Sequence, residues 1–361
     1  STSTEACSWL ALPTLQISRT ARPPRAPAVA LGRARGKLHA NRASRALRTR
    51  SCSLSTRAFG DATLDAASSA PPSERERFPM ASPALSTGAA LGAAGTARGL
   101  AEAEGGEFQA ALAFLQTHLP PGEAERLPEG YLEGNVYAAL QARAATPWAS
   151  AVPWDVFLNY VLPPWSVDER RDDWRALFVV TLLPFVEGLS SLEEAAQFVN
   201  QNVWSLPQFG GNITFLANQT PQIMSPFQVI EAQHASCTGL SIFLVDALRA
   251  VGIPARLAGT PKWVTAPFQG GNHDWVEVLL PEGWSFADGG EPSPMGFNHT
   301  WFYPKPADGQ IPGGSNHSIF AVSYAPNADT ATFPLAWNWA NTDVHGFDVT
   351  EHYLPPAGAA S

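Results

Sequence analysis

Cysteine is scarce in this sequence. The 361 residues contain three cysteines, and two of them, Cys7 and Cys52, lie near the start of the chain. Cys237 is the only cysteine in the rest of the sequence, so it has no disulfide partner there. This scarcity excludes both a disulfide framework and a zinc site built from four cysteines.

Long apolar segments are absent as well. The longest nearly apolar run, residues 176–186, is far shorter than the ~20 residues that a membrane-spanning helix needs, so we expect no membrane partner. Hydrophobic residues nevertheless make up 45% of the chain, which is enough to fill a sizeable core and excludes a fully disordered protein. The length is that of two domains or one large domain.

Acidic residues are nearly missing from the first 60 residues. That segment holds ten Arg, one Lys and a single acid, Glu5, and so carries a formal charge of +10. The other 301 residues hold 12 basic and 31 acidic groups, which sum to −19. Because phosphate binding needs a basic face, the acidic body argues against nucleic acid as a partner.

The N-terminal composition bears on localisation. Residues 1–58 are rich in Arg, Ser, Ala and Thr, which is typical of a disordered mitochondrial or chloroplast transit peptide; a basic tail that binds an anionic surface is the alternative. Residues 59–106 lack periodicity and are interpreted as a low-complexity linker. N-x-[ST] sequons begin at Asn212, Asn218, Asn298 and Asn316. These sequons favour the secretory route instead, because glycosylation occurs there.

Residues 107–204 are predicted to be mainly helical. Apolar residues recur at helical spacing from Phe108 onward, and Pro120 ends that helix. Ser166 and Glu169 have the spacing of a capping box, which predicts a further helix. We interpret its charged residues, 168–175, as a solvated face with weak ion pairs. Frequent Pro, Gly, Asn and Gln indicate a loop from Trp204 to residue 230.

Cys237 begins a predicted amphipathic helix. Apolar residues follow it at helical spacing: Leu240, Phe243, Leu244, Ala247, Leu248 and Val251. Ser236 can cap the start of this helix, and Gly252 fits the left-handed position after its end. In the first turn, unpaired N–H groups and the helix dipole favour a thiolate over a thiol. The alternative interpretation is that Cys237 is a small buried hydrophobic residue.

Two strands after this helix carry the residues that could assist a cysteine nucleophile. Residues 255–259 are predicted to form one strand, and residues 273–280 and 284–288 a β-hairpin. The period of two places His273, Trp275 and Glu277 on one face of the first hairpin strand. A cysteine at a helix start, a histidine that opens one strand and Asp288 at the end of the next supply a nucleophile, a base and an orienting carboxylate.

Four segments of this region resemble the core of the transglutaminase-like superfamily. They read SCTGLS at residues 236–241, RAVGIPAR at 249–256, NHDWVEV at 272–278 and WSFAD at 284–288. The resemblance covers roughly residues 230–300 and implies a papain-like α+β fold, in which the cysteine-bearing helix packs on an antiparallel sheet. With the helical residues 107–204 before it, this core and a C-terminal extension would occupy residues 205–361.

The resemblance also implies a chemistry. Cys237, His273 and Asp288 would act as nucleophile, base and orienter in acyl transfer on a carboxamide or peptide bond, with water or an amine resolving the thioester. The oxyanion would be held by the Cys237 backbone N–H and by an upstream side chain. The candidates for that side chain are Trp204, Gln222, Gln228 and Gln233, and the sequence does not choose among them. No cofactor is implied, and the substrate is expected to be a peptide or protein.

Aromatic residues near the three motifs are candidates for a substrate cleft. They are Trp263, Trp275, Trp284 and Trp301. Packing in the core or at its rim is the more usual role for Trp275 and Trp284.

Two other functions stay open at the level of sequence. One is a non-catalytic binding module that keeps the fold, and the other is a metal site made of His234, Cys237 and His273, with His299 as a further ligand. The chain lacks the extra zinc-binding cysteines of peptide N-glycanases and an acidic loop typical of a calcium site. We therefore favour amide or peptide hydrolysis over calcium-activated cross-linking, and the sequence does not predict the oligomeric state.

Overall fold

Helices form most of the first part of the folded chain. The structure is a computed structural model that describes residues 94–218, 221–290, 292–336 and 341–355, with side chains from residue 105 onward. The helices are α1 (Ala94–Thr117), α2 (Tyr131–Ala145), α3 (Pro147–Ser150), α4 (Trp154–Tyr160), α5 (Arg175–Val186), α6 (Leu192–Asn202), α7 (Pro226–Ala232) and α8 (Cys237–Ala250). Short 3-10 helices occupy Val203–Ser205, Pro207–Phe209, Ala307–Gly309 and Thr350–Tyr353. Within the described residues, no helix combines the length and the apolar character that crossing a membrane requires.

Six of the eight strands that the structure describes come after α8 in the chain. They are β1 (Thr214–Phe215), β2 (His234–Ala235), β3 (Ala255–Thr260), β4 (His273–Leu280), β5 (Gly283–Ala287), β6 (Phe320–Ser323), β7 (Ala331–Thr332) and β8 (His345–Asp348). β1 and β2 form a small parallel pair. The other six form one antiparallel sheet in the order β5-β4-β3-β6-β8-β7. The predicted α+β fold class and its hairpin are therefore confirmed.

Helix α8 is the central element of the largest core cluster. Its residues from Thr238 to the C-terminal end are all buried, and its apolar side chains join those of α5, α6 and β4 in one cluster. Gly252 has a φ of +84° and lies just after the helix, as its sequence position predicts. Helices α1 to α6 and the sheet accordingly belong to one compact unit, Ser86–Ser361.

The charged segment at residues 168–175 does not form the solvated helical face that its sequence suggested. Helix α5 begins only at Arg175, so the predicted helix start at Ser166 is wrong. Glu169 is buried, and its carboxylate accepts hydrogen bonds from the backbone N–H groups of Ser166 and Val167 at 2.5 and 2.8 Å. Arg175 is also buried and donates to the backbone carbonyl of Leu162 at 2.9 Å. These charges satisfy the backbone of an irregular segment, which is why they do not face water.

Two other boundaries differ from the prediction. Helix α1 begins at Ala94, inside the segment interpreted as a linker, because Ala and Glu are strong helix formers even without apolar periodicity. Helix α7 lies inside the predicted loop. It forms because Pro226 occupies the first helical position and the Ser225 and Gln228 side chains complete a capping box.

The interpretations that concern localisation are not tested by the fold. The predicted transit peptide at residues 1–58 and the first part of the linker, residues 59–93, lie outside the described residues. The four sequon asparagines are all exposed. Both the organellar and the secretory localisation therefore stay predictions.

A buried hydrogen-bond network joins β4 to Tyr353 and to β3. The Trp275 indole N–H donates to the Tyr353 hydroxyl at 2.7 Å, and this hydroxyl donates to Glu277 at 2.8 Å. Glu277 also pairs with Arg256 at 2.7 Å, and both side chains are buried. The 3-10 helix Thr350–Tyr353 is thereby fixed to the strand that begins with His273.

Candidate active site

Cys237 is the first residue of α8 and lies at the surface of a cleft. It is a free, partly exposed thiol. The Ser236 hydroxyl accepts a hydrogen bond from the Gly239 N–H at 3.4 Å and donates one to the backbone carbonyl of Gln222 at 2.7 Å. The capping residue thus fixes the start of the helix to the segment before it, which holds Cys237 in place.

His273 and Asp288 come from the two strands of the hairpin and meet at the same cleft. His273 is the first residue of β4, and Asp288 follows the last residue of β5. The His273 Nε2 lies 3.0 Å from the Asp288 Oδ2, and both side chains are buried. The ring also forms a hydrogen bond with Cys237. Because Nε2 faces the carboxylate, Nδ1 is the nitrogen left for the sulfur.

His273 and Asp288 stabilise each other in their charged forms. Burial alone lowers the pKa of His273, but the charge and hydrogen bond of Asp288, together with Cys237, outweigh burial and raise this pKa to about 10. Burial conversely raises the pKa of Asp288, yet His273, the Gly290 N–H and Trp301 lower it below its usual value. At neutral pH the ring is therefore an imidazolium that lies beside the Cys237 sulfur.

Trp301 holds the carboxylate in position from the solvent side. Its indole N–H donates to the Asp288 Oδ2 at 2.7 Å, while the Gly290 N–H donates to the Oδ1 at 2.8 Å. The Trp301 and His273 ring centroids are 4.9 Å apart. Trp301 also lines the cleft.

The other candidate cleft aromatics lie elsewhere. Trp263 and Trp275 are 1% and 0% exposed, and they stack on each other in a core cluster with a centroid distance of 6.0 Å. Burial suits Trp275 because its N–H has a partner in Tyr353. Trp284 packs under the Arg256 guanidinium at 3.8 Å and does not line the cleft. The prediction of cleft positions for Trp263 and Trp275 is therefore wrong.

Three of the four candidate oxyanion donors are committed to structural bonds. They are Trp204, which donates to the Asn200 carbonyl at 2.7 Å, Gln228, which completes the α7 capping box, and Gln233, which donates to the Phe209 carbonyl at 2.7 Å. Gln222 is exposed, and its backbone carbonyl contacts the Ser236 cap. Gln222 is therefore the candidate that stays available beside the start of α8.

Asp274 is a site residue that sequence reasoning missed. It is buried, and its Oδ2 accepts a hydrogen bond from the Thr238 hydroxyl at 2.5 Å. Burial raises the pKa of Asp274 to about 7, with Thr238 and His273 acting in the opposite direction. The residue after Cys237 is thus bonded to the residue after His273, which couples the helix to the strand. The available signal was an aspartate directly before the apolar residues Trp275 and Val276 of the predicted strand.

The alternative metal site does not assemble. In the part of the chain that the structure describes, no group of three His, Cys, Asp or Glu side chains is placed to hold a metal ion. The set of His234, Cys237 and His273, with or without His299, is therefore not brought together as a ligand sphere.

The cleft itself has a volume of about 490 Å³. Its lining residues are Phe215, Ala217, Cys237, Phe268, Asn272, His273, Asp288, Gly290 and Trp301. A cavity of this size can accept an amino-acid side chain together with its carbonyl group, directly at the sulfur.

Comparison with known proteins identifies the region that carries these residues. The model of the transglutaminase-like superfamily matches residues 184–289, a range that includes Cys237, His273 and Asp288. No curated protein sequence matches the chain.

Several solved structures are similar to parts of the chain. A candidate cysteine protease from Cytophaga hutchinsonii is 14% identical over 42% of this chain and 48% of its own, with a TM-score of 0.32. A candidate protease from Parabacteroides distasonis is 8% identical over 54% of this chain and 30% of its own, with a TM-score of 0.26. Red sea bream transglutaminase is 13% identical over 59% of this chain and 46% of its own, with a TM-score of 0.35. This chain spans less than half the length of each. The family match and the four motifs within it thus assign residues 184–289 to the transglutaminase-like superfamily.

Proposed function

We propose that this protein is a cysteine-dependent hydrolase of amide or peptide bonds, in which Cys237 is the nucleophile, His273 the general acid and base, and Asp288 the orienting carboxylate. The observation that carries the proposal is the continuous thiol–imidazole–carboxylate contact at the open end of a buried helix. A buried structural cysteine would have neither the cleft nor the charged ring beside it.

The first half of the reaction forms a thioester. The Cys237 thiolate attacks the carbonyl carbon and forms a C–S bond, while the carbonyl π electrons move to the oxygen. The resulting oxyanion accepts a hydrogen bond from the Cys237 backbone N–H, which has no acceptor within its own helix, and Gln222 is the candidate second donor. As the tetrahedral intermediate collapses and the C–N bond breaks, the His273 imidazolium gives its proton to the leaving nitrogen.

The second half regenerates the enzyme. Water attacks the thioester carbonyl, neutral His273 takes the proton of that water, and the C–S bond breaks to release a carboxylic acid and the thiolate. Asp288 keeps the same ring nitrogen occupied throughout, so the other nitrogen stays directed at the reacting atoms. An amine in place of water would give transfer by the same steps.

The test is removal of the sulfur. We expect Cys237→Ala to lower kcat/KM by about 10³-fold or more, with a change in Tm below about 2 °C because the side chain is small and partly exposed. The readout is mass spectrometry of a peptide library incubated with and without a primary amine, since cleavage, deamidation and amine incorporation give different mass shifts. Cys52→Ala is the matched control and keeps full activity.

Two outcomes would contradict the proposal. One is a Cys237→Ala variant that turns over at the full rate. The other is a wild-type protein that produces none of the three mass shifts while it binds library peptides, which would favour a non-catalytic binding module.

A further inference from the structure

Three exposed aromatic side chains form the walls of the catalytic cleft. Phe215, Phe268 and Trp301 are 46%, 43% and 37% exposed, and all three line the cavity that contains Cys237. Building on the proposed function, we infer that the acyl donor carries a large apolar side chain beside the reacting carbonyl, and that these three rings bind it. The structure thus favours substrates cleaved next to an apolar residue over substrates that present a charged one.

The three rings come from separate parts of the chain. Phe215 ends β1, and the following residue, Leu216, bonds through its N–H to the Ala235 carbonyl at 2.8 Å, two residues before the nucleophile. The Phe215 ring also lies against Gly290, where an added Cβ would be 3.3 Å from the ring. Phe215 is therefore held between the start of α8 and the segment that carries Asp288.

The other two rings, Phe268 and Trp301, are also held by the surrounding structure. The Phe268 backbone carbonyl accepts a hydrogen bond from the Gly271 N–H at 3.0 Å. The loop that carries Phe268 is also bonded to buried Trp263, whose N–H donates to the Gly271 carbonyl and whose carbonyl accepts from the Gly270 N–H. The Phe268 and Trp301 centroids are 4.8 Å apart. Because the Trp301 indole N–H already donates to Asp288, the part of this side chain that a ligand can contact is its apolar ring. These walls are preformed, which lowers the cost of ordering them on binding.

The distribution of charge in the cleft also favours an apolar substrate side chain. The charged side chains among its lining residues are His273 and Asp288, which pair with each other at 3.0 Å. The remaining lining residues are neutral, so a charged substrate side chain would lose water without gaining an ionic partner. The formal charge of −19 over residues 61–361 disfavours acidic substrates further.

The experiment measures labelling of Cys237 by reagents that differ in one side chain. The chloromethyl ketones of acetyl-Phe, acetyl-Leu, acetyl-Asp and acetyl-Lys are compared with iodoacetamide, which has no such side chain. Rates are read by mass spectrometry of the peptide that contains Cys237 and are divided by the rate of each reagent with glutathione. We expect the Phe and Leu reagents to label roughly 10–100-fold faster than the Asp reagent.

Variants connect the preference to the walls. Phe215→Ser and Phe268→Ser should each slow the acetyl-Phe reagent about 10-fold more than they slow iodoacetamide. The matched control is Phe185→Ser, because Phe185 is 39% exposed on α5 and stacks on Phe198 outside the cleft. This control should leave both rates unchanged.

The two proposals fail in different ways. Equal normalised rates for the Phe and Asp reagents, with Cys237 still labelled by iodoacetamide, would overturn the apolar specificity and leave the nucleophile intact. Absence of labelling at Cys237 by every reagent would overturn the proposed function, and the specificity with it. A loss of preference in the Phe185→Ser control equal to that in the wall variants would also overturn the assignment to these rings.

Discussion

Single residues set the charge state of the site. His273 carries its proton at neutral pH because Asp288 outweighs the effect of burial. Asp288 stays ionised while 1% exposed because the charge of His273 stabilises it and because the ring, the Gly290 N–H and the Trp301 indole donate hydrogen bonds to it. Trp301 therefore has two roles, as a wall of the cleft and as a positioning residue that acts through Asp288.

The second role can be separated from the first by Trp301→Phe. This change keeps an aromatic ring in the cleft and removes the N–H that donates to Asp288 at 2.7 Å. A hydrogen bond to a charged group contributes about 1.5–3 kcal/mol, so we expect kcat/KM to fall roughly 10–100-fold, with the loss mainly in kcat. The measurement is steady-state kinetics across pH, since loss of this donor raises the pKa of Asp288 and narrows the active range on the acidic side.

Trp284→Phe is the matched control for that substitution. Trp284 lies on β5 under Arg256, outside the cleft. This control should keep the wild-type kinetics. A Trp301→Phe enzyme with unchanged kcat and an unchanged pH profile would show that the indole N–H does not position Asp288.

At the scale of elements, a glycine on β3 leaves space for the Asp274 carboxylate where β3 pairs with β4. Gly259 pairs with Asp274 in the antiparallel register. An added Cβ at position 259 would lie 2.7 Å from the His273 carbonyl oxygen and closer still to the Asp274 carboxylate. The strand needs glycine here for space, because its neighbour places a buried carboxylate against its backbone.

Gly259→Ala should therefore disturb both the fold and the site. We expect a loss of about 1–3 kcal/mol in the free energy of unfolding, measured by urea denaturation, and slower alkylation of Cys237 because His273 and Asp274 are displaced. Gly134→Ala is the matched control. It lies in α2 with open space around the added Cβ, so it should stabilise the protein by about 1 kcal/mol. Equal effects of the two substitutions would refute the steric argument.

For the whole molecule, the buried groups of the site make stability depend on pH. The folded pKa of Asp274 is raised to about 7, so its favourable contribution is complete below the ordinary carboxyl pKa and is lost as the pH rises through 7. The folded pKa of His273 is raised to about 10, so its contribution is complete below about pH 6.5 and is lost as the pH rises through 10. Both groups make the fold less stable toward alkaline pH.

Asp274→Asn isolates the first of these effects. Asn has the shape of the protonated acid and can still accept from Thr238, so the variant should lack the decline that Asp274 causes between pH 4 and 7. At pH 8 we expect it to be more stable than the wild type by a few kcal/mol, measured as Tm at pH 5 and pH 8. Asp329→Asn, at an exposed aspartate, is the control and should leave the pH dependence unchanged. A Tm at pH 8 below that of the wild type would contradict the prediction.

Much of the site follows from local sequence. The cap at Ser236, the apolar spacing after Cys237 and the glycine at 252 specify α8, since capping and periodicity act within a few residues. The alternation of β4 and its short turn specify the hairpin that carries His273 and Asp288. The order of these elements was enough to indicate the family, the fold class and three residues that the structure brings together.

Other features depended on contacts between distant parts of the chain. Sequence could not show that Glu169 and Arg175 bond to backbone groups of a buried segment, or that Trp263 and Trp275 stack inside while Trp301 faces the cleft. The bond from Thr238 to Asp274 joins residues 36 positions apart. Local periodicity determines which face a side chain takes on its own element, but burial and pairing are decided only when another element packs against that face.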